Sequence, residues 1–142
     1  MHTARPLTPP AAPPRRARAS IAPGGARRAG YGALAAALLA AALFALLRLD
    51  TGWWQFFAFG AMPDVALFLG IAPGLEPGRL HPRAVPLYNA LHRFAGPIGL
   101  AIVAAAMLPS GYLVAAMAWA VHIAVDRTTG YGLRTRDGFQ RS

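Results

Sequence analysis

Trp119-Ala120-Val121-His122-Ile123-Ala124-Val125-Asp126-Arg127-Thr128-Thr129-Gly130-Tyr131-Gly132-Leu133 is the stretch on which the reading of this chain turns. It opens as an apolar helix, carries His122 and Asp126 four residues apart, and breaks at a pair of glycines. At 3.6 residues per turn those two side chains share a face. In a soluble helix the pair would signify little. At the end of a run apolar enough to span a bilayer, each ionisable group is costly and needs a reason to be there.

Three more apolar runs precede it. Tyr31–Leu47 has no charge, and its 17 residues sit at the lower limit for crossing a bilayer. Ala33, Ala37, Ala41 and Ala45 make a small-residue ridge on it, suited to close helix packing and to a homo-oligomer contact. Trp53–Ala72 enters through Trp53, Trp54, Phe56 and Phe57, an aromatic cluster of the interfacial kind. Pro63 deprives the Phe59 carbonyl of its helical donor and predicts a bend, with Asp64 next inside the apolar run. Pro86–Leu108 carries Tyr88, Asn89, His92 and Arg93 in its first turns, and Pro97 loosens it one turn later. Tyr112–Asp126 is the fourth run.

Composition agrees. The chain has 142 residues, 56% of them hydrophobic, with only five acidic side chains, too apolar for most soluble domains. It has no Cys, which excludes disulfides, thiolate metal sites and Cys nucleophiles. All 14 basic residues are Arg, and the net charge of +9 could suggest nucleic acid. Most of the arginines, however, lie in the two ends and in the 73–85 loop, which is how a membrane protein with basic cytoplasmic segments distributes them. The reading is therefore all-α: an integral membrane bundle of four transmembrane helices with both termini cytoplasmic, embedded in lipid and not bound to nucleic acid. Residues 1–29 read as a disordered Pro/Arg-rich tail, 30–127 as the transmembrane domain and 128–142 as a short basic tail. The first tail would be drawn to anionic lipid head groups at about 1 kcal/mol per Arg near the surface.

That topology assigns depths. At about 1.5 Å per residue, Asp64 lies about 12 Å and His92 about 9 Å below the cytoplasmic surface, and His122 sits about 6 Å from Asp126 along its helix. Asp64, Asn89, His92, His122 and Asp126 thus share one layer of the cytoplasmic half, to which the first helix contributes nothing. Two imidazoles and two carboxylates suit zinc or a similar divalent cation, and an open position on it would activate water. His92, His122 and Asp126 are the expected ligands, with Asp64 as a further ligand or the base, and Asp64, His122 and Asp126 as the groups doing chemistry. The same groups can relay protons, as in a proton-coupled carrier or small channel. In a purely structural network, Asp126 would pair with Arg127 or Arg93 while His122 and Asn89 bond between helices.

Taken together, Trp53-Trp54, Pro63-Asp64, Tyr88-Asn89-x-x-His92 and His122-Ile-x-x-Asp126-Arg127-x-x-Gly130-Tyr131-Gly132-Leu133 resemble a small bacterial membrane family, domain of unknown function 4260. The resemblance spans about residues 31–139, with Arg134 where a Lys is common. It implies four helices in a bacterial cytoplasmic (inner) membrane and carries no activity with it. His and Asp near helix ends are also similar to predicted membrane-bound metal-dependent hydrolases, which suggests a lipid-like substrate by analogy.

Overall fold

The computed structural model describes residues 24–141, and among them every regular element is a helix; one isolated antiparallel bridge joins Arg134 to Gln140. The order is α1 (Gly24–Leu49), α2 (Trp53–Ala61), a 3-10 turn (Met62–Asp64), α3 (Val65–Gly70), a second 3-10 turn (Pro82–Ala84), α4 (Val85–Leu91), α5 (Ala95–Met107) and α6 (Gly111–Thr129).

The proline signals act as their chemistry demands. At Pro63 the second apolar run tightens into the 3-10 turn, so it is α2 and α3 in place of one helix, and it ends at Gly70. The third run breaks at His92–Phe94, ahead of Pro97, and α4 and α5 meet at 45°. α1 begins at Gly24, well before the expected Tyr31, so residues 24–29 are helical and do not belong to a disordered tail. The reason is local: the last proline is Pro23, and nothing in Gly24–Gly30 forbids a helix. The rest of that tail lies outside the described residues.

α6 is the element the others pack on, with α1, α2 and α5 against it. Gly111, Ala115, Ala116, Ala118 and Ala124 are buried on it, and side chains this small let neighbouring backbones approach closely. α1 meets α6 through Ala35, Ala42 and Leu46. Of the expected Ala ridge, Ala33, Ala37 and Ala41 are exposed and take no part in this packing, because Ala35, Ala42 and Leu46 recur at helical spacing on the face toward α6.

The residues after α6 are a folded latch, and the expectation of a tail there is corrected. Gly130, at φ 95, ends the helix in the left-handed conformation. The chain then turns back so that Leu80 N–H donates to the Gly138 carbonyl and Arg141 N–H to that of Leu133. Arg134 is buried, its Nη1 donating to Gly78 O at 2.7 Å and Gly138 O at 2.8 Å. The guanidinium fills a position that a charged tail would leave in solvent, because two backbone carbonyls wait for it there.

α1 is long and apolar enough to cross a membrane, and α4 with the turn before it and α5 make a second such stretch if the bend is counted within one span. α6, with His122, Asp126 and Arg127 in its last turns, is not among them. The apolar window of α1 is only 17% buried. Leu47, Phe57, Phe68, Ile71, Ile102 and Met107 are each at least 66% exposed. Apolar surface on this scale is what a monomer in water avoids.

Candidate functional site

Asp64, His92, His122 and Asp126 converge. Asp64 and His92 come to the cluster from breaks in their helices, and His122 and Asp126 from the C-terminal half of the unbroken α6. Asp64 closes the 3-10 turn and stands at the N-cap of α3, where an Asp ordinarily accepts a backbone N–H. It makes no such cap. Its Oδ1 lies 3.5 Å from His122 Nε2 and 3.7 Å from His92 Nε2. His92 is the C-cap of α4, fully buried, and its Nε2 is 3.3 Å from Asp126 Oδ2. His122 and Asp126, on one face of α6 as their spacing required, are 3.7 Å apart.

The imidazole hydrogens can be assigned from their partners. His92 Nδ1 is 2.9 Å from the Tyr88 carbonyl, and His122 Nδ1 is 2.8 Å from the Gly60 carbonyl. A carbonyl only accepts, so both Nδ1 atoms carry the proton and, in the neutral rings, both Nε2 atoms present a lone pair. Those two Nε2 atoms are buried and make no hydrogen bond among the described residues. Lone pairs facing carboxylate oxygens repel unless something positive sits between them. The outer hydrogen bonds on Nδ1 are the arrangement that orients metal-binding histidines. Asp64, His92 and His122 each offer one donor atom within 4.8 Å of the others, which is the span a single ion can bridge. The donor set therefore fits a divalent cation.

Pro63 has a part in this. The carbonyl expected to lose its partner was that of Phe59; the one that receives His122 is Gly60, one residue on, because the chain passes into the 3-10 turn there. Tyr88 holds His92 from the other side: its ring stacks on the imidazole at 3.9 Å between centroids and 18° between planes. The two imidazoles meet edge to face, 5.4 Å apart.

Three residues expected in the cluster work beside it. Asn89 faces the latch, donating from Nδ2 to Arg134 O at 2.9 Å and accepting from Arg134 N–H at 2.7 Å. Arg127 donates to the His92 carbonyl at 2.9 Å and to that of Tyr131 at 3.0 Å, satisfying backbone at two broken helix ends. Arg93 lines a separate cleft. Neither arginine pairs with Asp64 or Asp126 among the described residues, so the ionic network expected of a purely structural role is not formed there.

Outside the cluster, Trp119 donates from Nε1 to the Leu91 carbonyl at 2.7 Å, capping the broken end of α4. His81 accepts from Arg83 N–H and takes no part. The Gly130–Gly132 turn offers no free anion nest, since the Gly132 amide donates to Gln140 Oε1. The family model for the domain of unknown function DUF4260 matches residues 33–142, the whole of this cluster and its latch included. The chain belongs to the DUF4260 family. No curated protein and no solved structure matches it. Arg134 and Gly138 gave the sequence reading no role, although a left-handed Gly beside a buried Arg is what holds Tyr88 and Asn89 in place.

Proposed function

We propose that this DUF4260 protein is a multi-pass protein of the bacterial inner membrane, with four crossing segments and both termini in the cytoplasm, whose His/Asp centre holds a divalent cation such as zinc and serves a hydrolase acting on a lipid-like substrate. The membrane part is supported by the exposed apolar surface of α1, α2, α3 and α5 and by the arginines gathered at the ends and in the 73–85 loop. The observation that carries the chemical part is the meeting of two unpartnered Nε2 atoms with two carboxylates.

His92, His122 and Asp64 would hold the cation; Asp126, expected among the ligands, is not in that group and stands 3.3 Å from His92 Nε2. When bound, the cation would supply Lewis acidity toward an ester oxygen and toward water. Asp64, with its side chain 46% exposed against 20% for Asp126, is the carboxylate more open to solvent and to an incoming substrate. Tyr88 and the two backbone carbonyls keep the imidazoles in one tautomer and one orientation. A proton-coupled carrier would use the same four groups. The carbonyl-oriented Nε2 pair favours the cation, and four helices make a thin wall for a pathway unless copies associate.

Metal analysis of the purified protein tests the proposal. About one equivalent of a divalent cation is expected in the native chain and none in His122→Ala. A metal-free native protein that shows pH-driven flux in liposomes, lost in Asp64→Asn, would replace the hydrolase with the carrier. The topology has its own test, made simple by the lack of native Cys. Ser110→Cys, in the turn before α6, should react with an impermeant maleimide in intact cells, and Arg136→Cys only after lysis. Equal labelling of both would contradict four crossings.

A further inference from the structure

Beside the cluster, with His92 itself on its wall, lies a cleft of about 550 Å³. This is the size of a site for an organic ligand, well beyond a lone inorganic ion. Arg27 and Arg28 reach it from the start of α1, Arg93 from the break between α4 and α5, Arg127 from the end of α6 and Arg141 from the latch. No carboxylate lines it among the described residues. Of these arginines, Arg127 is spent on two backbone carbonyls and Arg27 sits 6.0 Å over the ring of Tyr31. Arg28, Arg93 and Arg141 have no side-chain hydrogen bond or ion pair among the described residues. The folded chain thus draws guanidinium groups from four separate places into one concave surface; Arg28, Arg93 and Arg141 are exposed there, open to an anion from solution.

The shape narrows the anion. Planar guanidinium forks match the oxygens of a phosphoryl group two at a time, whereas a point charge would serve any anion. Tyr31 and Phe94 stack with ring planes 5° apart and centroids 6.2 Å apart, giving the cleft an apolar wall. Tyr31 is also where the charge-free part of α1 begins, so the cleft opens at the polar margin of the exposed apolar surface. We infer that this cleft binds a phosphate monoester, its phosphoryl oxygens on Arg28, Arg93 and Arg141 and its organic part against Tyr31 and Phe94. The binding does not require the cation, and it gives the chain a second ligand site behind the His/Asp centre.

The experiment uses the full chain in detergent with a chelator present, so that failure of the metal centre cannot mimic failure here. Binding of dioctanoyl phosphatidate and of glycerol 3-phosphate is measured by microscale thermophoresis, with dioctanoyl phosphatidylcholine and octanoate as controls. Either phosphomonoester should bind at least about tenfold more tightly than octanoate, since charge-assisted bonds to two or three guanidiniums are at stake. Tighter binding of the lipid identifies a membrane source and equal binding a soluble one. Arg28→Gln/Arg93→Gln should weaken binding at least about tenfold, while Arg15→Gln/Arg16→Gln/Arg18→Gln in the N-terminal segment should leave it unchanged. Should the cleft variant fail to fold, phenylglyoxal modification of the native chain decides: phosphatidate should slow reaction at Arg28 and Arg93, and phosphatidylcholine should not. Octanoate binding as well as the phosphomonoesters, unchanged affinity in the cleft variant, loss confined to the N-terminal variant, or unprotected arginines would each overturn the inference.

Discussion

His92→Ala is expected to weaken divalent-cation binding by at least about a hundredfold, because replacing mere orienting partners of ligand histidines already costs 10–100-fold. The native protein should gain thermal stability when cation is added. At a cation concentration one hundred times Kd the linkage is worth about 2.7 kcal/mol. His92→Ala should show no such gain. Tyr88→Phe is the control: it keeps the ring that stacks on His92 and loses only a long bond to the Gly132 carbonyl, 3.4 Å from the hydroxyl. Its cation response should stay near native. A cation-induced shift of equal size in His92→Ala would mean that the cation sits somewhere other than between these rings.

Gly138→Ala carries the second large effect, on the latch. Gly138 has φ 95, and a Cβ there would run into the Leu80 backbone carbonyl. A non-glycine residue in this region costs about 1–3 kcal/mol by itself. The clash adds to that, since backbone must move and take with it the bonds from Leu80 N–H and Arg134 Nη1 to the Gly138 carbonyl. We expect a loss of about 3 kcal/mol in the stability of the latch, read as roughly hundredfold faster amide exchange at Leu80 and Arg134. The consequence reaches the centre. Arg134 holds Asn89 through its backbone, and its guanidinium lies 5.0 Å over the Tyr88 ring that stacks on His92. Cation affinity should therefore fall about 10–100-fold in Gly138→Ala although no ligand has changed. Native exchange rates in this variant would show that residues 130–141 are a tail after all.

The residues that sequence reasoning placed well are those whose position follows from local rules. His122 and Asp126 share a face because of helical period, and Pro63 and Pro97 interrupt helices because they lack an N–H. Equal depth then brought Asp64 and His92 to the same layer, and the structure brings all four together. Long-range contacts do not follow from such local rules. Asn89 has the same depth as the cluster and yet faces Arg134, a partner 45 residues away that depth counting cannot see. Arg127 looked like a counter-ion for its neighbour Asp126, but helical geometry points adjacent residues apart, and it caps backbone instead. The latch was invisible because a polar, Gly-containing end reads as solvent-exposed until a buried partner is known. The cleft was invisible for the same reason, its arginines being scattered between residues 27 and 141.

Pulsed electron paramagnetic resonance on the protein loaded with one equivalent of copper(II) puts the account to its most direct test. Coordination through Nε2 leaves each remote Nδ1 to modulate the echo. Two imidazoles are expected in the native protein and one in each of His92→Ala and His122→Ala. A spectrum without imidazole modulation, or one that neither substitution alters, would contradict this.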